Sequence, residues 1–230
     1  MAASDPALIQ NAITAQASFF QSLLGRTVTQ STTITASMTD PGCANPGSSA
    51  FTGIRAMVIC VGDPGWTVHN ALNKQKIVMH ETFHLVQFEM QWLGHPNQDA
   101  ASAHWIDEGT AEYMGWRGVA NLGLISFDAA RACMVAQANA QASASQNLST
   151  METGAGFGIP GAYQLSMLGV DQLLASPGAG ALMTYGTAIS RGTAWPASFQ
   201  SAFGTSTATF YAQYPAYRAS LGAGADTCGT

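Results

Sequence analysis

The chain has 230 residues, of which 47% are apolar and only 9% are charged, and its formal net charge is −5. This length is enough for one domain with a full hydrophobic core, or for two small lobes. The acidic balance without a basic patch excludes a typical nucleic-acid-binding protein. No run of eighteen apolar residues is present, so no membrane span is predicted.

The N-terminus carries no signal-peptide pattern, because residues 1–5 lack a basic stretch followed by an apolar one. The chain is therefore read either as a cytoplasmic protein or as the mature form of a secreted protein. We favour an extracellular location, because lysine is scarce and the cysteines are even in number.

The four cysteines are expected to form two disulfide bonds. None lies in a C-x-x-C pattern, so neither a cysteine zinc site nor a thioredoxin-like motif is indicated. Four cysteines allow three pairings, of which we favour Cys43 with Cys60 and Cys133 with Cys228. The first bond would tie a Gly/Pro-rich loop to the next strand, and the second would anchor the C-terminal tail. Four buried free thiols are the alternative.

The first elements predicted along the chain are a helix and two strands. Asp5 and Pro6 are typical of a helix start, apolar residues recur after them at helical spacing, and Gly25 ends the helix. β-Branched residues predict a strand over 27–39, and a second strand is predicted over 54–61.

The most informative stretch is H-E-T-F-H at 80–84, which has the form H-E-x-x-H. Residues four apart lie on one face of an α-helix, so His80 and His84 can bind one metal ion. Glu81 is then placed to take a proton from a metal-bound water. The helix predicted over 70–93 is apolar nearly all round and is therefore expected to be buried. A core helix with two hydrogen-bonded histidines is the alternative.

A second helix, predicted over 104–121, supplies the missing ligand. Two histidines leave a tetrahedral zinc short of one protein ligand and a water. Glu108 is the best third ligand, with Asp107 and His104 as alternatives. Glu112, one turn later on the same face, suits a carboxylate that orients a ligand imidazole. A solvated helix face is the alternative for both glutamates, but their apolar neighbours argue against it.

The rest of the chain is predicted to be helical. The helices are expected at 127–141, 162–175, 179–190, 195–203 and 207–221. The Ser/Gly-rich stretch at 142–161 is predicted to be a mobile loop near the site. A strand-containing lobe over about 1–69 and a helical part over about 70–230 together give a single α+β domain.

The sequence H-E-T-F-H followed by W-I-D-E-G-T-A-E-Y-M resembles the gluzincin zinc metallopeptidases, especially the secreted peptidase MA-like group. The resemblance implies a zincin-like fold and one Zn²⁺ per chain, bound by His80, His84 and Glu108. It continues more weakly over 161–173, which is similar to the family's next helix, whose tyrosine faces the zinc. Tyr163 is the hydrogen-bond donor that this resemblance implies.

The chain also departs from the family's pattern. The second histidine and the glutamate ligand are 23 residues apart, longer than the common spacing, and 93–103 reads as an inserted loop. The aminopeptidase G-x-M-E-N signature is absent. By resemblance, the strand at 54–61 is a candidate for the edge strand that pairs with substrate backbone, with an ordinary sheet strand as the alternative. Trp66 and His69, just after it, either line the cleft or pack structurally.

These features predict a zinc-dependent hydrolase and, by resemblance, a secreted metallopeptidase that acts on a peptide or protein substrate. Glu81 would act as the general base while water attacks the amide carbonyl, and Tyr163 would stabilise the oxyanion. The alternatives are a zinc hydrolase of a non-peptide amide or ester, a catalytically inactive zincin-fold binding protein, and a purely structural helical protein.

Overall fold

A computed structural model of the chain describes residues 2, 5–44, 49–97, 101–143 and 145–229. Its helices and strands are, in chain order, α1 (Asp5–Leu24), β1 (Thr33–Ser37), β2 (Ala50–Gly53), β3 (Ala56–Cys60), α2 (Pro64–Thr67), α3 (Ala71–Glu89), α4 (His104–Asn121), α5 (Phe127–Gln141), α6 (Gly154–Phe157), α7 (Ala162–Leu174), α8 (Gly180–Ser190), α9 (Trp195–Phe203) and α10 (Thr207–Ser220). The fold is therefore α+β, as predicted, with one small sheet and a mainly helical remainder.

The sheet has three strands in the order β1-β3-β2, with β1 parallel and β2 antiparallel to β3. Both predicted strands are longer than the observed ones, and β2 was not predicted at all. Only two of its four residues, Phe51 and Thr52, favour strands, and pairing with β3 is what makes this short segment a strand. The prediction that 54–61 forms an edge strand is wrong, because β3 lies in the centre of the sheet. The edge that faces α3 is β2.

Helix α3 is the central element of the helical part. It begins at a cap in which the Asn70 side chain accepts a hydrogen bond from the Asn73 N–H at 2.9 Å. From Ile77 to Gln87 every side chain is buried. The predicted burial of the H-E-x-x-H helix is therefore confirmed. α3 packs against α1, α4 and β2, so the polar side chains it buries must find partners on those elements.

Glycines let α4 pack closely on both of its neighbours. A Cβ on Gly109 would lie 2.7 Å from the Ser166 carbonyl oxygen on α7, and one on Gly115 would lie 2.9 Å from the Lys76 carbonyl oxygen on α3. Glycine weakens a helix, but here it allows the backbones of three helices to approach. The fold thereby fixes the positions of α3, α4 and α7 relative to one another.

Helix α1 is joined to α3 by a buried ion pair. The Asp5 carboxylate lies 3.0 Å from the Lys74 ammonium and accepts a hydrogen bond from the Trp66 indole N–H at 3.2 Å. Trp66 is fully buried. It is therefore part of the core, and the suggestion that it lines a cleft is wrong.

The stretch at 142–161, which was predicted to be a mobile loop near the site, contains short helical turns and buried apolar residues where the structure describes it; its mobility stays a prediction. Leu148 and Met151, in a 3₁₀ turn, are fully buried, and Phe157 in α6 is nearly so. The Glu152 carboxylate accepts a hydrogen bond from the Tyr211 hydroxyl at 2.8 Å. The Ser/Gly-rich composition of the stretch predicted a loop, although these few apolar residues are buried in the core.

Both predicted disulfide bonds are confirmed. Cys43 pairs with Cys60 at a Cα–Cα distance of 5.5 Å, and Cys133 pairs with Cys228 at 5.9 Å. The first joins the loop after β1 to β3, and the second ties the C-terminal segment to α5. Disulfide bonds are typical of extracellular proteins. Within the described ranges, no helix combines the length and apolar character that crossing a membrane requires.

The close approach at Gly109 predicts that Gly109→Ala destabilises the protein by about 1–3 kcal/mol, because the added methyl group would force α4 away from the α7 backbone. Denaturant unfolding would measure the change in the free energy of unfolding. Gly180→Ala is the matched control, since a Cβ there meets no atom within 4 Å. Equal stability of the two variants would contradict the packing argument.

Candidate metal centre

The two histidines and one glutamate bring three donor atoms together. His80 Nε2 and His84 Nε2 are 3.1 Å apart, as expected for side chains one turn apart on α3. Glu108, in the first turns of α4, places Oε2 3.4 Å from His80 Nε2 and 3.6 Å from His84 Nε2. All three side chains are buried or nearly buried.

This donor set fits a metal ion. Zn²⁺ bonds to imidazole nitrogen and carboxylate oxygen at about 2.0–2.2 Å, and tetrahedral ligands at that distance are roughly 3.3–3.6 Å apart. The three observed separations, from 3.1 to 3.6 Å, lie close to that spacing. Two imidazoles and a carboxylate also leave a fourth position for water, as catalytic zinc sites do. His80, His84 and Glu108 can therefore hold a metal.

Three side chains on α3 and α4 orient His80. Its Nδ1 lies 2.9 Å from Glu112 Oε2, so the Nδ1–H donates to the carboxylate and Nε2 is left for a metal. Glu112 also accepts hydrogen bonds from the Lys76 ammonium at 2.9 and 3.0 Å and from the Trp116 indole N–H at 2.9 Å. Both oxygens of this buried carboxylate are thus satisfied.

A different residue orients His84. The Gln87 amide oxygen lies 2.6 Å from His84 Nδ1 and accepts a hydrogen bond from the Nδ1–H. The Gln87 amide nitrogen in turn donates to the Asp107 carbonyl oxygen at 3.1 Å and to the Thr110 hydroxyl at 3.0 Å. This role of Gln87 was not predicted from the sequence. A fully buried glutamine three residues after a ligand histidine is the signal that could have revealed it.

Strand β2 holds the general-base candidate in position. The Thr52 hydroxyl lies 2.7 Å from Glu81 Oε2 and 3.0 Å from the Glu81 carbonyl oxygen, and it can donate its one proton to either. Glu81 is buried. The contact of Thr52 with Glu81 was not predicted either, because no strand was predicted over β2.

The two alternative third ligands are placed less well than Glu108. Asp107 is buried and accepts a hydrogen bond from the Trp92 indole N–H at 2.8 Å, and burial raises its pKa to about 7. His104 packs edge-on against Phe157, and its Nε2 is 4.0 Å from Glu108 Oε1. Neither belongs to the converging donor group, so the geometry favours Glu108.

Tyr163 lies at the rim of the site. Gly161, with a φ of 78°, makes the left-handed turn that starts α7 two residues before it. The Tyr163 ring is 5.9 Å from the His80 ring and packs edge-on against Phe157 at 4.9 Å. Its side chain is half exposed. Desolvation and the nearby Glu108 carboxylate raise its pKa, which keeps the phenol protonated as a hydrogen-bond donor.

Two cavities flank the donor group along α3. One, of about 390 Å³, lies toward the N-terminal end of α3, and the other, of about 330 Å³, lies toward its C-terminal end. Ala50, Glu81 and Tyr163 line both cavities. The cavities are therefore adjoining parts of one cleft that runs between β2 and α7.

The acidic groups of the centre favour protonated histidine when no metal is bound. Burial would lower the pKa of His80, but hydrogen bonds to Glu108 and Glu112 outweigh it and raise that pKa to about 9. Burial would raise the pKa of both carboxylates, but it is outweighed. Hydrogen bonds to His80 and His84 hold the pKa of Glu108 well below its usual value, and the Lys76 charge together with His80 lowers that of Glu112 to about 2. A metal ion binding here must therefore displace a proton.

These pKa values predict that a metal ion bound by His80, His84 and Glu108, tested with Zn²⁺, would stabilise the protein more as the pH rises. Without metal, the raised pKa of His80 contributes stability that is complete below pH 6.5, its ordinary pKa, and is lost as the pH rises to about 9. Neutral His80 is the form that binds metal, so the difference in Tm between zinc-loaded and metal-free protein should grow over this range. A His80→Ala control should show no zinc-dependent difference. A constant difference in the wild-type protein would contradict the prediction.

Comparisons with known proteins identify no relative. No protein-family model, curated protein or solved structure matches the chain. An assignment of function therefore rests on the geometry of the residues described above.

Proposed function

We propose that the chain is a zinc-dependent hydrolase, specifically a secreted metallopeptidase of the gluzincin type with a zincin-like fold. The observation that carries this proposal is the convergence of His80 Nε2, His84 Nε2 and Glu108 Oε2 within 3.6 Å of one another. The buried Glu81 carboxylate adjoins them in the same cleft. A core helix with two structural histidines would need neither the third donor nor the second carboxylate.

Each residue of the centre has a distinct part in the proposed hydrolysis. His80, His84 and Glu108 would hold the zinc ion, which when bound supplies Lewis acidity and lowers the pKa of a water ligand. Glu81 takes the proton of the attacking water and passes it to the leaving nitrogen. The Tyr163 hydroxyl donates a hydrogen bond to the oxygen on which negative charge develops.

The cleft suits an extended peptide. β2 is an edge strand, and Ala50 on it lines both cavities. An extended substrate could add to this edge by backbone hydrogen bonds. Every second side chain of such a substrate would then face the cavities. This strand replaces 54–61 as the candidate for the substrate-binding edge. A substrate panel of peptides, esters and small amides would separate a peptidase from a hydrolase of another amide or ester.

Metal content tests the ligand set directly. Mass spectrometry should find close to one zinc per chain in the wild-type protein and almost none in His84→Ala or Glu108→Ala, because each variant removes one of three protein ligands. Glu81→Gln is the matched control and should retain its zinc. Zinc lost from His84→Ala alone would make Asp107 or His104 the third ligand. No zinc in the wild type, even after zinc is added, would exclude the hydrolase proposal.

The general-base role predicts that Glu81→Gln lowers kcat for peptide hydrolysis by at least about 10²-fold while zinc content is unchanged. The amide keeps the size of the carboxylate and can still contact Thr52, so the fold is retained. Thr52→Val should reduce kcat less, because it removes only the hydrogen bond that positions Glu81. Full activity of the zinc-loaded Glu81→Gln protein would exclude the general-base role.

A further inference from the structure

The two ends of the cleft differ in chemical character. The cavity toward the C-terminal end of α3 has an apolar wall, formed by Phe51, Phe88 and Leu93. The cavity toward the N-terminal end contains Lys76 and His69. It continues into a further cavity of about 430 Å³, which shares these two residues. Among the described residues that line these two joined cavities, Lys76 is the only lysine or arginine.

The fold holds the Lys76 side chain in place. Its Cγ and Cδ atoms lie within 3.3 Å of the point where a Cβ on Gly115 would stand, so the absence of that atom makes room for the stem. The ammonium lies 5.7 Å from the centre of the Trp116 ring and 2.9 and 3.0 Å from the two Glu112 oxygens. Only 14% of the side chain is exposed. This cation is therefore positioned against the cavity and is not a solvated surface lysine.

The ammonium group has a donor to spare. It carries three N–H groups, and its hydrogen bonds within the described part of the chain go to the two oxygens of Glu112. Those oxygens also accept hydrogen bonds from His80 and Trp116. Glu112 is thus fully occupied by four donors, whereas Lys76 keeps one N–H for a ligand in the cavity.

The imidazole of His69, which can donate or accept a hydrogen bond, lies near the Lys76 ammonium. His69 lines the same two cavities, and its Nδ1 is buried without a hydrogen-bond partner among the described residues. Burial and the nearby Lys76 ammonium lower the pKa of His69, so the imidazole is neutral at pH 7. Gln164 adds an amide group to the same wall. The carboxylates Glu81, Glu112 and Asp226 also line these cavities, and Glu112 is already satisfied by Lys76, His80 and Trp116. The remaining Lys76 N–H, beside neutral polar groups, is therefore the position at which these cavities can bind a single carboxylate.

We propose that Lys76 binds a carboxylate of the substrate, so that the enzyme selects peptides with an acidic group on the side of the cleaved bond that faces the N-terminal end of α3. This inference rests on the proposed peptidase function and specifies its substrate class. The carboxylate can come from an Asp or Glu side chain or from the substrate's C-terminus. The described lining of the cavity at the other end contains no lysine or arginine, and its His104 lies beside Asp107 and Glu108.

The test uses quenched fluorescent peptides that are identical except for Glu or Gln at one position, scanned along both sides of the cleaved bond. Each peptide is made with a free and with an amidated C-terminus. Zinc-loaded wild type should prefer the carboxylate form by at least about tenfold in kcat/KM at one position, which corresponds to one charge-assisted hydrogen bond. A Glu preference identifies a side chain, and a loss of activity on amidation identifies the C-terminus.

Variants of Lys76 separate substrate binding from support of His80. Lys76→Met should abolish the preference, and Lys76→Arg should restore most of it, with zinc content measured for each. A structural role would lower kcat/KM for both members of a peptide pair equally and leave their ratio unchanged. An unchanged ratio in Lys76→Met, or no preference in the wild type, would overturn the proposal.

A binding measurement keeps this inference distinct from the proposed function. The same peptide pairs are titrated into zinc-loaded Glu81→Gln and Glu81→Gln/Lys76→Met in a calorimeter. Tighter binding of the carboxylate form, lost in the double variant, would support the carboxylate site even if the wild type cleaved none of the peptides. Cleavage by the wild type without any preference would contradict the carboxylate site and leave the peptidase proposal intact.

Discussion

The structure depends on one constraint, which is the burial of charged and imidazole groups between α3 and α4. Glu112 is almost completely buried, and an unpaired carboxylate there would be strongly destabilising. Lys76, His80 and Trp116 satisfy it together. These hydrogen bonds require the two helix backbones to lie close together, and Gly115 permits this by leaving space for the Lys76 side chain.

The remaining elements complete the centre around this helix pair. α7 packs closely on α4 at Gly109 and brings Tyr163 beside His80. β2 lies on the other side of the cleft, where Thr52 contacts Glu81. Residues distant in sequence are thus held by rigid elements, as a catalytic constellation requires.

Local sequence signals predicted the helices better than the strands and better than the polar contacts. The bounds of α4, α5 and α9 agree with the prediction. Local signals mark the ends of two of them, since Ser126 caps the start of α5, and α9 has proline in its first turn and ends at Gly204. β2 depends on its pairing with β3, a tertiary contact that no local pattern encodes. The roles of Thr52 and Gln87 were not predicted for the same reason. Each role depends on a side-chain contact, with Glu81 for Thr52 and with His84 for Gln87, that only the folded structure shows.

The arrangement of charges argues for a functional centre rather than a stabilising one. Buried ion pairs contribute little net stability compared with well-packed apolar residues. His80 nevertheless contacts two carboxylates, Glu112 at Nδ1 and Glu108 at Nε2. Glu108 also contacts His84. A histidine that served only packing would need one partner. The additional carboxylate, Glu108, repels Glu112 unless positive charge lies between them. Protonated His80 provides that charge when no metal is bound, and a divalent cation held by His80, His84 and Glu108 would provide it in the metal-bound protein.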